Sequence, residues 1–193
     1  MIWATIVCRI VIQSCLVSVS FVIDIDSPTM EDFITVEQAG FRKGRSTCDQ
    51  VLVLTTFVEN GFQQNLKSAI FLDLSAAYDS VWHTGLFLKL SKVLPHWLVE
   101  SITLFLSNRW FRAHMGDKCS FWRHQKNGLP QGSVLSPCLY CVYINDLPST
   151  RFRKFIYADD ICLATQDRTF TVLEDTLSED LDKVAVFLSK WHF

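Results

Sequence analysis

The sequence predicts an α+β fold in which helices cover a sheet, and three observations carry that prediction. Phe155 to Leu163, FIYADDICL, sets two adjacent carboxylates between apolar, β-favouring triplets. This is the pattern of two short antiparallel strands joined by a tight turn with Asp159 and Asp160 at its tip. Phe155, Ile156, Ile161, Cys162 and Leu163 leave both strands apolar on both faces, as in the middle of a covered sheet, so the acids emerge from a buried element. Ile70 to Leu72 reads as a further buried strand, and several stretches with 3.6-residue apolar periodicity read as helices.

Composition bounds the answer. At 193 residues and 49 % apolar the chain fits one domain with a sizeable core, which excludes bulk disorder. Seven cysteines, an odd number without regular spacing, argue against a disulfide framework and for a reducing compartment. Cys138 and Cys141 form a lone CxxC on an apolar helix, which reads as core packing rather than zinc binding. The net charge of −2 divides unevenly: residues 35–154 hold 14 Lys+Arg against 8 Asp+Glu, while 1–34 carry −3 and 155–193 carry −5. The basic middle suits a polyanion.

Taken in order, residues 1–34 form an apolar leader and an acidic linker of unassigned role. Residues 1–23 are long enough to span a bilayer, but Arg9 near the middle would cost about 2.5–3.5 kcal/mol on the insertion scale. The preferred reading is therefore a β-rich or poorly ordered leader, with a signal or anchor as the alternative. In TVEQAGFRKGRSTCDQ two glycines bracket Arg42 and Lys43, followed by Arg45, a loop able to face phosphate at a helix N-terminus. Thr47 with Gln50 fits a capping box, and the helix expected over 48–64 should bury Val51, Leu54, Val58 and Phe62.

The strand Ile70–Leu72 ends at Asp73, a carboxylate well placed for a site or, on the blander reading, a helix cap; Tyr78 can turn back over it. Helices are expected over 85–93 and 97–106. Residues 109–125 alternate on two arms around Gly116 and Asp117, a hairpin whose Arg109, Arg112, Arg123 and nearby Lys126 interleave with Trp110, Phe111, Phe121 and Trp122. That mixture offers charge to a nucleic-acid backbone and rings to its bases, or else is an ordinary solvated face. Gly128, Pro130 and Gly132 shape a turn that leaves Gln131 as a free polar side chain and feeds a helix containing Pro137. The last helix carries Leu173, Leu177, Leu181, Val184, Leu188 and Trp191 inward, with Glu174, Asp175, Glu179, Asp180 and Asp182 outward. Paired carboxylates such as Asp159 and Asp160 repel, so a turn that holds them is usually stabilised by a hard divalent cation, Mg²⁺ first; a plain surface turn is the competing reading.

The motifs FRKGRST, FLDLSAAYD, GLPQGSVLSP and YADD, in that order and spacing, resemble the reverse transcriptase domain of non-LTR (LINE-type, jockey-like) retrotransposons over residues 35–193. The resemblance implies a polymerase palm, an antiparallel sheet backed by helices, with part of the fingers and no thumb. It implies RNA-directed DNA polymerisation by two-metal nucleotidyl transfer. Asp73, Asp159 and Asp160 would be the catalytic acids, and these with the Leu74 carbonyl would hold two Mg²⁺, Mn²⁺ being the substitute. Tyr78 matches a gate against the ribose 2′-hydroxyl, Gln131 a contact to nucleotide and template, and Arg42, Lys43 and Arg45 a motif near the triphosphate. RNA template, DNA primer, dNTPs and other retroelement-encoded domains are the implied partners, and nuclear or cytoplasmic residence the implied location. The family continues past the last helix into a lysine-bearing motif and a thumb, so a truncated domain is expected here. The alternative is an inactive retroelement relic that acts as a nucleic-acid- or protein-binding module.

Overall fold

A computed structural model describes residues 32–64, 66–73 and 77–193, the first strand through its backbone alone. The leader reading and the Leu74 assignment lie outside these residues. Among the described residues no helix is long and apolar enough to cross a membrane.

Helix α1 spans Thr47–Gln63 and strand β1 Lys67–Asp73. Three helices follow: α2 (Ala77–Ser80), α3 (His83–Leu90) and α4 (His96–Leu106). Two nested hairpins come next, β2 (Arg109–Phe111) with β5 (Arg123–Gln125) enclosing β3 (His114–Met115) with β4 (Lys118–Cys119). Then come α5 (Leu135–Ile144), β6 (Arg153–Tyr157), β7 (Asp160–Asp167) and α6 (Phe170–Lys190). The main sheet is antiparallel in the order β1-β7-β6, so the strand that opens with Asp160 is central. Residue Gln38 adds a parallel bridge to Ile156 on the outer side of β6.

The apolar flanks of FIYADDICL are explained by layers on both faces of this sheet. Ile156, Ile161 and Leu163 join the main core, built around the almost wholly buried α5, where Cys138 and Cys141 are both buried. Phe155, Cys162 and Ala164 face the other way, against Leu54 and Phe57 of α1. Burial of this kind contributes about 25 cal/mol per Å² of apolar surface, which is why Phe155–Ile156 of β6 and Ile161–Ala164 of β7 omit polar residues.

Three sequence expectations need correction. Helix α1 is capped by Ser46, not Thr47: Asp49 N donates to the Ser46 hydroxyl at 3.2 Å and the Asp49 carboxylate accepts from Ser46 N at 2.9 Å. The buried face also differs from the expected one: Val51 and Phe62 are exposed, while Leu54 and Phe57 pack against the sheet and Gly61 is buried. Asp180 is fully buried on α6 rather than outward, because it accepts from Arg151 N at 2.6 Å and from the Lys183 ammonium at 2.6 Å. Asp160 is the first residue of β7, not part of the tip, because the Tyr157↔Asp160 pair closes a two-residue loop of Ala158 and Asp159.

Lys89 of α3 is 5 % exposed, donates to the Tyr143 carbonyl and Asp146 carboxylate, and lies 3.8 Å from the Trp191 ring centre. Burial, only partly offset by the bond to Asp146, pulls its pKa down to about 8. Between that value and its ordinary 10.5 the unfolded chain binds more protons than the folded one, so this lysine makes stability rise with pH across the window. Unfolding free energies at pH 8 and pH 10 are expected to show wild type gaining up to about 2 kcal/mol relative to Lys89→Met. Parallel pH profiles would remove Lys89 as the cause.

Candidate active site

The register of the main sheet brings two of the predicted acids together. Asp73, the last residue of β1, is the Cα partner of Asp160, the first of β7, and Asp159 occupies the turn beside them. The three acid-bearing positions thus meet at one end of the sheet, Asp160 exposed and Asp159 half-buried. Like charges set directly opposite one another across a sheet are destabilising. Aspartates at three adjoining backbone positions are the residue type whose oxygen donors a hard divalent cation takes. Among the described residues no three side chains already form a metal cluster, and the Asp73 side chain lies outside that description.

The turn is strained and held. Ala158 has φ of 59°, a conformation that costs an L-residue roughly 1–2 kcal/mol. The Gln38 amide braces it on both sides: Ala158 N donates to Gln38 Oε1 at 2.9 Å, and Gln38 Nε2 donates to the Ala158 carbonyl at 3.2 Å. Gly40 N also donates to Gln38 Oε1, at 2.8 Å. Sequence reasoning missed Gln38, since its partner lies 120 residues away.

Tyr78 on α2 is half-buried and stacks on Tyr140 of α5, with ring centres 4.9 Å apart and planes 16° from parallel. Burial first, then the Cys141 thiol and the Asp159 carboxylate, push the Tyr78 phenol above its ordinary range. Tyr140 is likewise raised, by burial and then by Asp159. Both rings are therefore within electrostatic reach of the turn acid and stay neutral. Tyr140 is a second residue missed in the sequence, where a tyrosine on an apolar helix reads as core.

The turn bearing Gln131 docks on the same segment as Tyr78. Leu129 N donates to the Tyr78 carbonyl and Gly128 N to the Val81 carbonyl, both at 2.8 Å, and Ser136 Oγ donates to the Pro130 carbonyl at 2.7 Å. Gly128 has φ of +83°, and a Cβ there would lie 2.8 Å from the Asp79 carbonyl, so only glycine fits. Gln131 is exposed on this braced turn.

The basic residues divide into two kinds. Arg42 is buried and donates to the Thr35 and Gln38 carbonyls at 2.9 and 3.2 Å; Arg45 donates to Val36 and Gln38 carbonyls. Both shape the loop that braces the acid turn, and Lys43 is exposed on it. On the hairpin, Arg109 is turned inward to the Leu106, Asn127 and Gly128 carbonyls, while His83 bonds the same Gly128 oxygen at 2.8 Å. Arg112 lies 4.9 Å from the Trp122 ring centre, and Arg123, Lys126, Trp110, Phe121 and Trp122 are all exposed. A cleft of about 520 Å³ lined by Glu37, Arg45, Asp49, Arg153 and Lys154 lies at the other end of β6, away from the acids.

Comparison with known proteins fits this arrangement. The chain is 34 % identical over 176 residues to a probable RNA-directed DNA polymerase from transposon BS of Drosophila melanogaster, covering 86 % of this chain and 19 % of that protein. It is 30 % identical over 161 residues to a probable RNA-directed DNA polymerase from transposon X-element of the same species, covering 80 % and 17 %. The RNA-directed DNA polymerase from mobile element jockey of Drosophila funebris is 30 % identical over 165 residues, covering 80 % and 18 %. The chain therefore spans about a fifth of the length of these relatives. A model of the family described as reverse transcriptase (RNA-dependent DNA polymerase) matches residues 20–193. With that match spanning the acid turn, its opposing strand and the glycine-rich turn alike, the chain belongs to the reverse transcriptase family.

Proposed function

We propose that this chain is the RNA-directed DNA polymerase domain of a retrotransposon, its three-stranded sheet forming the polymerase palm and the α1 region part of the fingers. The observation that carries the reading is the register that sets Asp73 opposite Asp160 with Asp159 in the adjoining turn. Asp73 and Asp159 would hold two Mg²⁺, Asp160 acting less directly and the Leu74 carbonyl completing the set. Such ions, when bound, lower the pKa of a primer 3′-hydroxyl and offset charge on the triphosphate.

The remaining work falls to the chain's own side chains, because phosphoryl transfer needs positioning more than covalent help. Tyr78, its ring fixed against Tyr140, presents an apolar edge to the sugar and excludes a 2′-hydroxyl. Gln131 on its braced turn contacts nucleotide and template, and Lys43 approaches the phosphates from the loop that Arg42 and Arg45 shape. Arg112, Arg123 and Lys126, together with the exposed rings of the hairpin, suit the backbone and bases of template and primer.

Primer extension on an RNA template with dNTPs and Mg²⁺ tests the proposal. Template-directed incorporation supports it, whereas a folded chain that binds primer–template and extends nothing would leave only a binding role. Tyr78→Val is expected to lower the preference for dNTPs over rNTPs by about 10- to 100-fold, the range for losing one shape-based contact. Unchanged sugar preference in an active variant would rule out Tyr78 as the gate.

A further inference from the structure

Resting on the carboxylate site proposed above, we infer that Gln38 is the positioning residue for Asp159: it sets the metal-facing turn through the backbone of Ala158 without touching the acid itself. Two observations converge on it. Ala158 holds a positive φ of 59° at the first position of a two-residue hairpin loop, a place that glycine normally fills. Such a conformation persists only where its surroundings over-determine it. The buried Gln38 amide supplies that determination by engaging both polar groups of the Ala158 backbone, Oε1 accepting at 2.9 Å and Nε2 donating at 3.2 Å. Neither a carboxylate nor an apolar side chain of the same length can do both.

The brace is itself anchored. Ala39 N donates to the Ile156 carbonyl at 2.9 Å and Ile156 N to the Glu37 carbonyl at 3.2 Å, so the segment grips β6 on either side of Gln38. The Gln38 carbonyl accepts from Arg42 at 3.2 Å and from Arg45 at 3.4 Å, tying the same residue to the basic loop. Gly40 then lies so close to the turn that a Cβ would fall 2.2 Å from Ala158 N. Asp159 follows Ala158 directly, and the direction of its carboxylate is fixed by the residue that Gln38 holds. One side chain thereby links the loop facing the triphosphate to the acids facing the metals.

The test uses the whole chain, with Gln38→Met as a length-matched variant lacking donor and acceptor. Mg²⁺ binding by calorimetry is expected to weaken at least tenfold, and hydrogen exchange at the Ala158 amide to accelerate at least 100-fold. Adding Ala158→Gly, which removes the strain, is expected to recover most of the lost Mg²⁺ affinity; no recovery overturns the positioning role in favour of a merely structural one. A folded Gln38→Met chain that binds Mg²⁺ within twofold of wild type also overturns it. If wild type binds no Mg²⁺ the carboxylate-site reading fails separately, and Ala158 exchange then decides the brace, unchanged protection in Gln38→Met defeating it. Should Gln38→Met not fold, the double variant carries both measurements, and failure of both to fold overturns the inference.

Discussion

Asp159→Asn is expected to lower primer extension by about 10³-fold or more while leaving the fold intact. The substitution keeps the shape of the side chain but replaces an anionic donor by a neutral amide whose nitrogen repels a cation. Charge stabilisation by a bound metal is worth several kcal/mol, and each 1.36 kcal/mol is about tenfold in rate. The residue lies in a turn at the sheet's end, half-buried and outside the core, so unfolding should not account for the loss. Extension assays paired with thermal melts and Mg²⁺ calorimetry check this. An Asp159→Asn chain that extends primers within tenfold of wild type, or binds Mg²⁺ equally well, would sink the assignment.

Gly40→Ala should be the most disruptive single-methyl change among the described glycines that approach the acid turn. The added Cβ would meet Ala158 N at 2.2 Å and Ala158 Cα at 2.8 Å, both backbone atoms that no rotamer change can move aside. Overpacking of that kind costs about 3 kcal/mol or more, which for a domain of this size is about 6–12 °C in Tm. Gly44→Ala is the control: its φ of +70° carries a conformational penalty, but nothing lies within 4 Å of the added methyl. Denaturation of both variants should give a clearly larger loss for Gly40→Ala. Equal losses would mean that the turn yields and that its position is not tightly held.

What can be read from the sequence follows the range of the interactions involved. The strands flanking the acids are legible because burial on both faces leaves an uninterrupted apolar signature, and β1 because its apolar run ends abruptly at Asp73. The nested hairpins around Gly116 and Asp117 and the helix after the glycine-rich turn are likewise written in local chemistry. The α1 cap is ambiguous by one residue because Ser46 and Thr47 both qualify, and only the reciprocal bond with Asp49 chooses between them. Periodicity puts Asp180 outside because it does not reveal Arg151 and Lys183, the partners that offset the cost of burying a carboxylate. Gln38 and Tyr140 are invisible for the same reason: each acts through a contact with a distant element. The strain at Ala158 has no signal either, since alanine gives no hint of a positive φ.

The central placement of β7 also dictates an order of events during synthesis. Among the described residues, strand β1 has β7 as its main-sheet neighbour, which leaves the ribosome much later, and Gln38 waits 120 residues for its partner at Ala158. At about 5–20 residues per second this leaves an apolar strand edge unsatisfied for roughly 5 to 20 s. Contacts so far apart in sequence also slow the search itself. The nascent chain therefore passes through an interval in which its β1 edge can pair with other chains. The residues that complete the acid site are the same ones that end this interval.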